Sequence, residues 1–169
     1  MNREIEEIFH GIEIALVTAL CSVQPENEIY ACGFWLFYCD HTVIRPPCFG
    51  YNSSYEHEDD RWSPPEWDVD IDNDVYGALE PFYQKLIDIM SGQSDDAWEN
   101  LMNYQWSFYT NLCRKLNMEV DSEVSPFKEW PRKSNFVVGV FEVNESEEMY
   151  DKLAVQSLGH QKAQQLCVI

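Results

Sequence analysis

The run from Ile29 to Tyr38 reads Ile-Tyr-Ala-Cys-Gly-Phe-Trp-Leu-Phe-Tyr and is apolar at nearly every position. A strand with one wet face alternates apolar and polar residues, so a run apolar on both sides predicts a central strand covered on both faces. Asn135 to Val143 repeats the pattern through Phe136, Val137, Val138, Val140 and Phe141 and reads as a second buried strand. Between the two, Asp40-His41 makes a turn into Thr42-Val43-Ile44, which would pair back antiparallel until Pro46-Pro47, because proline donates no ladder hydrogen bond. Cys48 to Tyr55 adds a short further strand.

The cover for such a sheet is written in helical spacing. Ile5, Ile8, Phe9, Ile12, Leu16, Ala19 and Leu20 share one face of a helix over 2–22. Tyr76, Leu79, Phe82, Tyr83, Leu86, Ile87 and Met90 define a second, with Gly92 as its stop and Pro81 in its first turn or at a kink. Ser94, followed by Asp95 and Asp96, is a helix start, and Trp98, Leu101, Met102, Gln105, Phe108, Tyr109, Leu112, Cys113 and Leu116 hold the period for about six turns. Glu145 to Leu158 is the last predicted helix, with Met149, Leu153 and Leu158 inward. The expected fold is α+β: one central mixed or largely antiparallel sheet of about four strands covered by about four helices, in a single domain over 1–169. The tail after residue 159 is expected to pack loosely.

Thirty Asp and Glu face 11 Lys and Arg, a formal net charge of -19. Affinity for phosphate backbones and anionic lipid comes from Lys and Arg, so nucleic acid and membrane are not expected partners. A basic protein is the natural complement, whereas the plainer account of the charge is solubility. With 45% apolar residues there is material for a core despite the charge. The start Met1-Asn2-Arg3-Glu4-Ile5-Glu6-Glu7 lacks a signal pattern, and no apolar run is long enough to span a bilayer, so cytoplasmic residence is expected. The six cysteines fit buried free thiols, Cys21, Cys32, Cys39 and Cys113 lying in apolar runs. Cys167 is third from the end, so the tail is not a prenylation box.

The charge peaks between Glu56 and Asp74, where Glu56, Glu58, Asp59, Asp60, Glu66, Asp68, Asp70, Asp72 and Asp74 face a single Arg61. Like charges this dense repel unless a partner or a cation offsets them. Asp68, Asp70, Asp72 and Asp74 alternate like the opening of a calcium loop, but counting from Asp68 puts Asn73 where glycine is needed and Leu79 where glutamate is needed. Counting from Asp70 gives Val75 and Pro81 there. His10, His41, His57 and His160 stand at no ligand spacing, and no glycine-rich phosphate loop occurs. Cys39 and His41 fall on one side of a strand, the sole nucleophile-and-base pairing that spacing suggests; inert burial outweighs it. No catalytic residue, metal ligand set or cofactor is assigned.

Within the acidic run stands Arg61-Trp62-Ser63-Pro64-Pro65-Glu66-Trp67. Its two tryptophans are either exposed interface anchors or, the favoured reading, a lid over the edge of the core stiffened by the proline pair. Arg61 is expected to pair with the acids around it and order the loop.

Ile29-Tyr30-Ala31 through Phe37-Tyr38-Cys39-Asp40, the proline pair, and Arg61 to Trp67 together resemble the bacterial domain of unknown function family 4303. The resemblance spans nearly the whole chain. It departs at Cys39, where the family carries threonine, and finds no counterpart after Gly159. It implies a small cytoplasmic bacterial protein from toxin and immunity gene neighbourhoods, with no catalytic residues to carry over. Joined to the charge, it leads to the expectation of an immunity protein, as in contact-dependent growth inhibition, that neutralises a cognate toxin, a basic nuclease. The expected contacts are Glu56, Glu58, Asp59, Asp60, Trp62, Trp67, Asp68, Asp70, Asp72 and Asp74. The alternatives are a small-ligand or calcium-binding regulator, or an uncharacterised enzyme.

Overall fold

In the computed structural model, residues 2–36, 44–55, 61–67, 69–70, 72–142 and 145–169 are described, with the backbone alone for 69, 70 and 72–74. The chain runs α1 (Arg3–Ser22), β1 (Ile29–Trp35), β2 (Cys48–Asn52), a 3-10 turn (Pro64–Glu66), β3 (Val69–Asp70), α2 (Asp72–Met90), α3 (Asp95–Met118), β4 (Arg132–Val140), α4 (Glu147–Leu158) and α5 (His160–Gln165). The fold is mixed α and β. Its one sheet has three strands of five to nine residues and a two-residue β3 at the edge, in the order β3-β2-β1-β4. β1 pairs antiparallel with β2 and parallel with β4, and β2 pairs antiparallel with β3, so the sheet is mixed. A parallel neighbour needs a long crossover, and α2 and α3 lie on the path from β1 to β4.

The sheet buries both faces. Along β4, Phe136, Val138 and Val140 join a core formed with α1, α2 and α3, through Phe9, Ile12, Leu16, Leu79, Leu86, Tyr109 and Leu112. Val137 points the other way, into a cluster with Trp62, Trp67, Phe141, Leu158 and Leu166. Alternation along the strand thus serves two apolar layers, as the unbroken apolar run requires. Each large side chain so buried contributes about 1.5–3 kcal/mol.

Local chemistry sets the helix boundaries. Asn2 caps α1, its side chain accepting from Glu4 N at 3.1 Å. Ser94 caps α3, its hydroxyl accepting from Ala97 N at 3.3 Å, and Ser146 caps α4 by accepting from Met149 N at 3.3 Å. A cap satisfies one backbone N–H that the first turn cannot.

Several expectations are corrected. The strand that pairs antiparallel with β1 is Cys48–Asn52, and Pro46-Pro47 precede its ladder; of the expected return strand at 42–44, Ile44 lies outside any strand, and Thr42 and Val43 lie outside the described residues. Proline at the entry loses no ladder bond, so the pair fits better there. Pro81 sits well inside α2, which begins nine residues earlier at Asp72. Asp72 and Asp74 occupy the first turn, where the helix dipole favours carboxylates, so the end of the acidic run is helical. Gly77 stands four residues before Pro81, where the backbone carbonyl must yield to the proline ring.

The segment after Gly159 is not loose. Gly159 takes φ +82°, α5 follows, and Ala163, Leu166 and Val168 bury against the second cluster. Cys21 is exposed, because the buried stripe of α1 runs through Leu16 and Leu20 and leaves position 21 to one side; Cys32 and Cys113 are buried free thiols. Cys39 lies outside the described residues.

Candidate functional site

The acidic segment is tethered by the motif at its centre. The side chain of Trp62 lies 5.6 Å from Phe141 and that of Trp67 lies 6.1 Å from it, ring centre to ring centre, on the sheet face opposite α1 to α3. Trp62 is 6% exposed and Trp67 7%. Both indoles therefore belong to the chain's own core and offer no surface to a partner, which is the lid reading. Pro64 opens the 3-10 turn between them, closed by Glu66 N donating to Ser63 O at 2.9 Å and Trp67 N donating to Pro64 O at 3.1 Å.

The sheet is shaped for this lid. A Cβ on Gly33 would stand 2.7 Å from the Phe141 ring and 3.1 Å from Trp67, and one on Gly139 would stand 2.5 Å from Phe141. These separations are shorter than van der Waals contact, so glycine at both positions opens the trough that the two rings fill. Two tyrosines close the rim: Tyr30 Oη donates to Arg61 O at 2.9 Å and Tyr150 Oη donates to Trp62 O at 3.3 Å. Burial, followed by the charge of Asp151, pushes the Tyr150 phenol well above its ordinary range, so it is a donor at every physiological pH.

Arg61 lies over aromatic rings, its guanidinium carbon 4.9 Å from the centre of Trp62 and 5.3 Å from that of Tyr55. Such cation–π contacts fix a cation at the point where the acidic segment meets the core. Asp70 is the second residue of β3, opposite Gly50, and Asp72 and Asp74 begin α2. Glu56, Glu58, Asp59, Asp60 and Asp68, with Cys39, His41 and His57, lie outside the described residues. The structure thus brings Asp70, Asp72 and Asp74 together in sequence-adjacent backbone at one sheet edge.

Elsewhere the surface is acidic as well. Carboxylates begin α1, α3 and α4, and Glu13 accepts from Lys115 Nζ at 2.8 Å, which raises the Lys115 pKa, first through that hydrogen bond and then through the charge of Glu13. Among the described residues no group of three or more His, Cys, Asp and Glu side chains gathers where a metal ion could be held. No helix among them is long and apolar enough to cross a membrane.

Sequence reasoning missed a buried carboxylate. Glu142, 1% exposed, accepts from Leu36 N at 2.6 Å and so holds the end of β1 beside that of β4. The signal available was an acid placed directly after the apolar run that ends at Phe141. No protein-family model, curated protein or solved structure matches this chain.

Proposed function

We propose that this chain is a cytoplasmic immunity protein that binds and neutralises a cognate toxin domain, a basic nuclease, through the acidic surface around residues 56–74. The kinship with family 4303 suggested by Arg61 to Trp67 is part of the same proposal. The observation that carries it is the charge: -19 overall, with its densest stretch anchored at Trp62 and Trp67. An acidic surface gains fast association with a basic cleft, with steering that salt weakens. The contact set is then Glu56, Glu58, Asp59, Asp60, Asp68, Asp70, Asp72 and Asp74, with Trp62 and Trp67 fixing the intervening motif to the core. They are not the anchors themselves.

The test is co-expression with the product of the adjacent gene. The expected result is a neighbour toxic when expressed alone, harmless with this chain, and retained by a tagged copy at low salt. Reversing Asp68, Asp70 and Asp72 to lysine should slow association by at least about tenfold at low ionic strength. A harmless neighbour, or a triple variant that protects and associates as the parent does, rejects the reading.

A further inference from the structure

A cavity of about 310 Å³ opens where β4 begins, bounded by Asp121, Trp130, Arg132, Lys133, Phe136 and Lys162. Three of the chain's 11 Lys and Arg meet there against one Asp, a local charge of three minus one, or +2, in a protein of net charge -19. General solubility explains acids; it does not explain cations drawn to one hollow.

Two of the cations, Arg132 and Lys162, are loosely held by acceptors, although the Arg132 guanidinium carbon also lies 5.7 Å from the centre of the Phe136 ring. Both terminal nitrogens of Arg132 donate to the same oxygen of Asp121 at 3.2 Å, and that aspartate is 86% exposed. A pair whose carboxylate stands in solvent and offers a single oxygen is weak and readily exchanged. Lys162 Nζ reaches Phe136 O only at 3.5 Å, and Lys133 Nζ donates to Ser53 O at 3.0 Å. Two further donors beside the cavity are buried without an acceptor among the described residues: Arg132 Nε and the indole N–H of Trp130, a residue 5% exposed. Buried N–H groups are almost always paired, so two orphans on either side of Pro131 leave this wall of the cavity short of acceptors.

We propose that this cavity binds the phosphate group of a small phosphate monoester. The terminal nitrogens of Arg132 supply directed donors in exchange for Asp121, Lys162 supplies charge without fixed geometry, and Lys133, held by Ser53 O, adds to the local field. A monoester carries about -1.5 to -2 at neutral pH, which matches the local +2. The rings of Trp130 and Phe136, 6.4 Å apart, form an apolar wall for the organic part of the ligand. The volume lies at the small end of ligand pockets, which run from about 300 to 1,000 Å³, and so fits a compact metabolite and not a dinucleotide.

The experiment is thermal denaturation and calorimetric titration with glycerol 3-phosphate, inorganic phosphate and glycerol, at ionic strength held constant with sodium chloride. The expected result is a saturable rise in Tm with glycerol 3-phosphate, at least as large with it as with inorganic phosphate, and none with glycerol. Lys162→Gln, at a half-exposed site outside the main core, and Arg132→Gln should each weaken binding about tenfold or more. Stabilisation no greater than chloride gives, binding of inorganic phosphate alone, or undiminished binding in the folded Lys162→Gln variant would overturn the assignment.

Discussion

The side-chain amide of Asn117, on α3, pairs with the backbone of Val138 in both directions: Nδ2 donates to Val138 O at 2.7 Å, and Val138 N donates to Oδ1 at 3.0 Å. β4 is an outer strand of the sheet, so the groups of Val138 that face away from β1 have no strand to meet. Asn117 stands in for one, and Ser157 of α4 extends the substitution by accepting from Val140 N at 3.1 Å. An uncovered edge is a template for pairing with other chains, and two helix side chains here blunt it.

Replacing Asn117 with leucine keeps much of the volume and removes both bonds, leaving the Val138 N–H and C=O unpaired beneath α3. The expected loss is about 2–6 kcal/mol, at one to three for each of the two groups left unsatisfied. Urea denaturation checks it, and light scattering should show faster aggregation of the variant on warming.

Gly139→Ala puts a methyl group 2.5 Å from the present position of the Phe141 ring. Overpacking of this kind destabilises by about 1–3 kcal/mol. Shrinking the ring with Phe141→Leu in the same chain should recover part of that loss, so the double variant is more stable than the sum of the singles predicts. Additive losses would show that the trough and the ring are not coupled.

Trp67→Ala opens a cavity in the second cluster and should destabilise by about 3–5 kcal/mol. Trp67→Phe should be far milder, about 1.5 kcal/mol or less, because the indole N–H it removes is buried without an acceptor among the described residues. Paired chemical melts of the two variants measure the difference.

Alkali should unfold this protein through its core. Burial pushes the thiols of Cys32 and Cys113 up from an ordinary 9.0, and burial, followed by the charge and hydrogen bond of Tyr109, pushes Tyr83 up from an ordinary 10.0. Above those values the unfolded chain releases protons that the folded chain retains, so stability falls as pH rises. It is full below about pH 9 and declines upward from there toward the raised folded values. Urea midpoints at pH 8, 9 and 10.5 test this, and Tyr83→Phe should flatten the slope at the upper end.

Periodicity located α1 and α3 almost to the residue because their stripes face one large core: Phe9, Ile12 and Leu16 on one, Tyr109, Leu112 and Leu116 on the other. It placed α2 but allowed Pro81 either its first turn or a kink; the first alternative fails, because packing of Val75, Leu79 and Tyr83 carries the helix through the proline. It also missed α5, a single short turn-and-a-half whose buried residues, Ala163 and Leu166, make no recognisable period alone. Of the candidate site, the burial of Trp62 and Trp67 beside a rigid proline pair was legible, since large aromatics flanking Pro64-Pro65 are fitted to lie against a core.

What the chain's own order of residues determined is its class and its charge: an apolar strand demanding cover on two faces, helices with the stripes to supply it, and a surplus of carboxylates that must lie outside. These follow from local spacing and from the cost of burying charge, both of which are properties of neighbours in sequence. Only the tertiary structure decided that β4 lies parallel beside β1, that Asn117 closes the edge of β4, that Gly33 and Gly139 make room for Phe141 and Trp67, and that Arg132, Lys133 and Lys162 share one hollow. Each of those joins residues far apart along the chain. Their pairing depends on how the layers pack together, which no local pattern encodes.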